Sequence, residues 1–124
     1  MNMKPYHSFL MLASTVAFTV LGQLLVKKGM VAVGAAGESK NIAETIIRAF
    51  TNLYVIAGLG SALCAAACWL LALSKLPLSH AYPFIAFTFV LVPIGAKLMF
   101  GEEISMARWI GIAFIIIGVW LSYR

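Results

Sequence analysis

Thr15, Thr19, Gln23 and Lys27 recur at intervals of four in the first apolar run, the spacing that stacks side chains on one face of a helix. Two hydroxyls, an amide and an ammonium in that order can donate and accept hydrogen bonds and neutralise an anion. The stripe has two readings. It either hydrogen-bonds to neighbouring helices, as membrane threonines do, or walls a polar pathway in which Gln23 and Lys27 hold an anionic headgroup near one membrane face. A second set, Tyr82, Thr88, Lys97 and Glu102, falls within or just after the apolar run 79–100, which also contains Pro83 and Pro93. Each proline removes an amide donor and crowds the preceding turn, so carbonyls are freed for other helices, water or a ligand. The expectation is a kinked, locally polar helix.

Covalent chemistry finds no support. His7 and His80 are single and near helix starts, and no nucleophile and base pair stands out, so no catalytic residues are assigned. Cys64 and Cys68 sit four apart in an apolar run without another soft ligand. Zinc takes about four ligands, and a disulfide within one helical turn is geometrically poor, so neither a metal nor a cofactor is expected. The four acidic residues, Glu38, Glu44, Glu102 and Glu103, all lie in connections.

The elements that must position these groups follow from composition. With 63% hydrophobic and 10% charged residues in 124, the chain has too little polar surface for a water-soluble globule. The fold class expected is all-α: an integral membrane bundle of four transmembrane helices, about 8–28, 53–74, 79–100 and 106–123, forming one domain over 1–124. The third run spans roughly 33 Å as a helix, enough to cross a hydrocarbon core. The first run is too long for a signal-peptide core and is closed by Lys27 and Lys28 before any cleavage site. The net charge of +5 clusters at helix ends, which points to anionic lipid headgroups rather than nucleic acid.

The connection 31–52 begins with turn residues Gly34, Gly37, Glu38 and Ser39. After it, Asn41 can cap a short helix with Glu44 and Arg48 on one side and Ile42, Ile46, Ile47 and Phe50 towards the other. That segment either lies on the membrane surface or packs as a linker on its own bundle. The second helix, with Gly58, Ser61, Ala62, Ala65 and Ala66, is scaffolding or cavity wall, and Trp69 near its end reads as an interfacial anchor. In the fourth helix Gly111 and Gly118, seven apart, share a face suited to close contact with a second subunit.

The stretches Gly22 to Lys28 (GQLLVKK), Ala81 to Val90 (AYPFIAFTFV), Lys97 with Glu102, and Arg108 to Val119 (RWIGIAFIIIGV) resemble, in order and spacing, the shortest four-helix members of the drug/metabolite transporter superfamily. The nearest pattern is that of the small flippase subunits proposed to move undecaprenyl phosphate-aminoarabinose across the bacterial inner membrane. The chain is also similar to the small multidrug resistance family in size and in the pair Gly111 and Gly118. That family uses a first-helix glutamate for proton and cation exchange, and alignment on Gly22 and Lys27 places Thr19 there.

The resemblance implies a flippase of a polyprenyl phosphate-linked sugar in the bacterial inner membrane, multi-pass, acting as a homodimer or as a heterodimer with a similar subunit. The cargo's tail stays in lipid while Thr19, Gln23, Lys27, Tyr82, Thr88, Lys97 and Glu102 serve its headgroup. Two alternatives stand beside it: a small multidrug-type proton and organic-cation antiporter, and a non-transporting membrane subunit of a glycolipid-modifying complex. Lys27, Lys28, Lys40, Arg48 and Arg108 against Lys4, Lys75 and Arg124 favour a cytoplasmic long connection with both termini outside.

Overall fold

The computed structural model describes residues 5–38 and 40–124, so Lys4 and Ser39, both used in reading the sequence, lie outside the described residues. All regular structure among the described residues is helical: α1 (Pro5–Ala35), α2 (Ile42–Thr51), α3 (Leu53–Leu73), α4 (Leu78–Ile85), α5 (Thr88–Phe100) and α6 (Met106–Ser122). Tyr6–Ala35, Leu53–Leu73 and Leu78–Phe100 are each long and apolar enough to cross a membrane, and Met106–Ser122 is a shorter apolar helix.

Two boundaries differ from those expected. α1 does not end near residue 28 but continues to Ala35. Lys27 and Lys28 end the apolar run, yet lysine is a good helix former, so the hydrogen-bonded ladder passes through them. The third run is two helices rather than one, with Ala86 and Phe87 between α4 and α5. The break lies between Pro83 and Pro93, and the chain there tightens: Ala86 N–H donates to Pro83 O at 3.2 Å and Phe87 N–H to Phe84 O at 3.2 Å. The Thr88 hydroxyl donates to Ile85 O at 2.8 Å, giving that carbonyl a partner inside an apolar surrounding.

α1 and α3 form the main pairing, and small residues explain it. A Cβ on Gly22 would sit 2.8 Å from Gly58 O, and one on Gly58 would sit 2.7 Å from Gly22 O, so the two backbones touch. The Ser61 hydroxyl donates to Phe18 O at 2.7 Å across this seam. Close approach of this kind supplies dispersion and polar contacts where lipid removes the hydrophobic drive. Farther along α1, a Cβ on Gly29 would meet Asn52 Oδ1 at 2.7 Å. Asn52 meanwhile caps α3 by accepting from Tyr54 and Val55 N–H at 2.9 and 3.3 Å.

At the other end of the seam Leu12, Ala72 and Ala81 are fully buried, with Met11, Trp69, Leu73, Leu76 and Phe84 packed around them. This small core ties α1 and α3 to α4. α5 approaches α1 where Gly95 leaves room for Leu24, whose Cδ1 would be 2.8 Å from a Cβ there. Gly101 adopts the left-handed conformation at φ 65°, and its N–H bonds Lys97 O at 3.1 Å to end α5. Ser105 caps α6 by accepting from Arg108 N–H at 3.3 Å. The far end of α6 is fastened to α4 by the Tyr123 hydroxyl, which donates to His80 O at 2.6 Å.

Candidate functional site

The four-residue stripe of α1 lies along a groove between α1, α3 and the α4–α5 pair. At the end near the small core, Thr15 and Thr19 face Ala65, Ala66, Trp69 and Tyr82 across a cleft of about 310 Å³. Next to it Thr19 and Gln23 meet Thr88, Phe89, Val92 and Pro93 around a cleft of about 390 Å³. A third, of about 240 Å³, runs against α3, from Thr19 and Gln23 to Gly58, Ala62 and Ala65. Thr19 lines all three, so they adjoin as one groove. The alanines of α3 open this space because their side chains stop at Cβ, while Gly22 and Gly58 close it where the helices touch.

The polar groups in the groove divide into spent and unspent donors. The Thr15 hydroxyl donates to Met11 O at 2.8 Å and that of Thr88 to Ile85 O, so both offer a ligand only acceptor lone pairs. The side chains of Thr19, Gln23 and Tyr82 make no hydrogen bond among the described residues. A hydroxyl, a carboxamide and a phenol therefore line an otherwise apolar groove with their capacity unused. In a low-dielectric surrounding, uncompensated polar groups are costly, so this arrangement favours occupation by water or a polar guest.

The charged candidates lie elsewhere. Lys27 Nζ is 3.7 Å from Glu102 Oε1, one turn beyond Gln23 at the end of the stripe, and both side chains are about half exposed. Lys97 Nζ sits over the Trp109 ring at 5.4 Å, which engages it with α6 rather than with the lining of the three clefts. Pro93 contributes to the groove wall; Pro83 is absent from that lining. Gly111 and Gly118 are exposed on α6, and a Cβ on either would meet nothing within 4 Å. Among the predicted residues the structure thus gathers Thr19, Gln23, Tyr82 and Thr88, with Lys27 and Glu102 paired at the groove's end and Lys97 apart.

Trp69 is the groove residue that the sequence reading assigns to another task. It packs edge-on against Tyr82, ring centroids 5.7 Å apart and planes at 79°, and lines one end of the groove. Its signal was present: Ala62, Ala65, Ala66 and Trp69 have the spacing of one helical face. A site of this composition can hold a hydroxylated ring against aromatic surface and hydrogen-bond its edges. Among the described residues, the linings of its three clefts include no acidic side chain.

Residues 3–124 match the model of the EamA-like transporter family. The chain is 36% identical over 115 residues, 93% of its length and 95% of the relative's, to the probable 4-amino-4-deoxy-L-arabinose-phosphoundecaprenol flippase subunit ArnE of Yersinia pseudotuberculosis serotype O:1b (strain IP 31758). It is 35% identical over the same shares to the Yersinia pestis protein of that name. With its Aeromonas hydrophila counterpart it shares 40% identity over 68 residues, 55% of this chain and 60% of the relative. No solved structure matches the chain significantly. Several long apolar helices in a transporter domain make this a multi-pass membrane protein. With the match extending over nearly all of its length, the chain belongs to the EamA-like transporter family.

Proposed function

We propose that the protein is a flippase subunit that carries a polyprenyl phosphate-linked sugar between the leaflets of the bacterial inner membrane, without covalent chemistry. The observation that carries this reading is the set of unspent hydrogen-bonding side chains, Thr19, Gln23 and Tyr82, along one groove. The sugar enters this groove, stacks near Trp69 and Tyr82, and exchanges hydrogen bonds with the stripe, while the prenyl chain remains in the acyl region. Lys27, released from Glu102, meets the phosphate at the groove's end. α6 brings the fourth crossing, and its bare face at Gly111 and Gly118 meets a second subunit, either a copy of this chain or a similar one. The names of the relatives as flippase subunits support both cargo and partnership.

A multidrug-type antiporter is the weaker reading, because the position a proton-coupled carboxylate would occupy is held by Thr19. The test is transbilayer movement of a polyprenyl phosphate-sugar in proteoliposomes, followed by an impermeant reagent that modifies only outward-facing sugar. Gln23→Ala and Tyr82→Phe are expected to slow movement while the protein stays folded. Wild-type rates from both variants, or proton-driven uptake of a quaternary ammonium dye in place of lipid movement, would sink the reading.

A further inference from the structure

α2 presents its two faces the wrong way round for a helix that packs on its own bundle. Its polar side turns towards the end of α1: Thr45 and Arg48 line a cleft of about 370 Å³ with Met30, Val33, Gly34 and Gly37. Its apolar side faces away, with Ile42 79%, Ile46 50%, Ile47 64% and Phe50 60% exposed, and the helix has no buried residue. The polar groups are satisfied within the segment. Asn41 accepts from Glu44 N–H at 2.8 Å, Glu44 accepts from Lys40 N–H at 2.8 Å and pairs with Arg48, and Arg48 donates to Gly37 O at 2.9 Å. The helix is thus preformed, with its ion pair internally neutral and one side bare.

Both neighbours of this segment fix its depth. α1 has 31 residues, roughly 46 Å at about 1.5 Å each, and so exceeds a hydrocarbon core of about 30 Å. Its last turns, beyond Lys27 and Lys28, therefore stand at the headgroups. The far end of α2 returns to the same level, because Asn52, which follows it and starts α3, lies against Gly29. The Lys28 ammonium sits over the Tyr54 ring at 4.7 Å at that level, an aromatic and basic pairing typical of the interface. We propose that α2 is an in-plane membrane-surface helix, seated in lipid through Ile42, Ile46, Ile47 and Phe50, with Lys28 and Lys40 meeting anionic headgroups beside it. This holds the long connection down on the bilayer, whatever cargo the groove takes.

The test places single cysteines at Ile46, Phe50 and Thr51 of the full chain, in a Cys64→Ser, Cys68→Ser background, each labelled with an environment-sensitive nitrobenzoxadiazole. The chains are reconstituted in phosphatidylcholine–phosphatidylglycerol vesicles containing a phospholipid spin-labelled near its headgroup. Positions 46 and 50 are expected to lose most of their emission to the lipid quencher and to resist iodide; position 51, on the polar side, should do the reverse. Free quenching of 46 and 50 by iodide overturns the proposal, and so does shielding from both quenchers, which would mean a protein covers the face. On the unaltered chain, a phospholipid carrying a photoreactive diazirine near the headgroup should label the tryptic peptide 41–48. A peptide left unlabelled beside labelled spans counts equally against it.

Discussion

Lys27 and Glu102 join α1 to the turn after α5 through an ion pair of 3.7 Å at the end of the polar groove. Both side chains are about half exposed, so the pair contributes little to stability, on the order of 0.5 kcal/mol. Its weight lies in where it holds the ammonium. Lys27→Ala is expected to lower transport of an anionic lipid-linked sugar by about tenfold, equivalent to about 1.4 kcal/mol, with little change in denaturation in detergent. Glu102→Gln frees the ammonium and should tighten headgroup binding. The decisive variant exchanges the two charges, Lys27→Glu with Glu102→Lys. If the pair were only a brace, the exchange would restore transport; if Lys27 meets the phosphate, transport stays low.

The contact between Gly22 and Gly58 leaves no room for a side chain on either, since the obstacle is backbone oxygen at 2.7 to 2.8 Å. Gly22→Ala must separate α1 from α3 and also weaken the Ser61 bond to Phe18. A loss of about 1–3 kcal/mol is expected, the usual scale of overpacking. Unfolding of the purified protein in a mixed detergent series measures it. A neutral outcome would show that the seam can open without cost, and the groove's width would then not be set there.

Gly111 and Gly118 supply the contrast, for a Cβ on either meets open space. Gly118→Leu is therefore expected to leave the stability of the single chain within about 0.5 kcal/mol. If α6 joins subunits, the same substitution should reduce dimer recovered by cross-linking in vesicles. Unchanged cross-linking would remove α6 from the interface.

Composition and run length made the helical, membrane-spanning character legible, because a 20-residue apolar run has few other solutions. The stripe Thr15, Thr19, Gln23 and Lys27 was legible too, since four-residue spacing fixes a face once the helix is granted. Its neighbours were less so. The break at Ala86 and Phe87 lies at neither proline but between them, where the backbone tightens and Thr88 takes the Ile85 carbonyl, a tertiary compromise that local propensity does not encode. Lys97 sits within an apolar run as an intramembrane cation would, yet cation–π contact with Trp109 draws it to α6. That pairing joins separate helices and so depends on how they pack. The edge-on approach of Trp69 to Tyr82 depends on helix packing in the same way.

Trp69 and Tyr82 form an edge-on pair at one end of the groove. Tyr82→Phe keeps the ring packing and removes the phenol, so it should weaken sugar binding modestly, by about 1 kcal/mol, for one hydrogen bond. Trp69→Ala removes a wall as well as the stacking surface and should cost more, while Trp69→Phe recovers part of the loss. Titration of proteoliposomes with a short-chain polyprenyl phosphate-sugar, against the same lipid phosphate lacking sugar, measures it. Equal losses for both ligands would place the aromatic pair outside the sugar's site.

Thr19 lines all three adjoining clefts, and its side chain makes no hydrogen bond among the described residues, so the proposed function makes it a test of what charge the groove accepts. Thr19→Val keeps the shape and removes the hydroxyl; a loss of about 1 kcal/mol in cargo affinity is expected for that one group. Thr19→Glu brings a carboxylate into an apolar setting near the path of a phosphate. Repulsion and the cost of burying the charge then act together, and binding of the anionic cargo should fall by more than tenfold, above about 1.4 kcal/mol. The loss should shrink as pH falls, because protonation removes the charge that repels the phosphate. Affinity measured across pH for wild type, Thr19→Val and Thr19→Glu separates these effects. A pH-independent loss in Thr19→Glu would mean that the groove rejects the longer side chain for its size, not its charge.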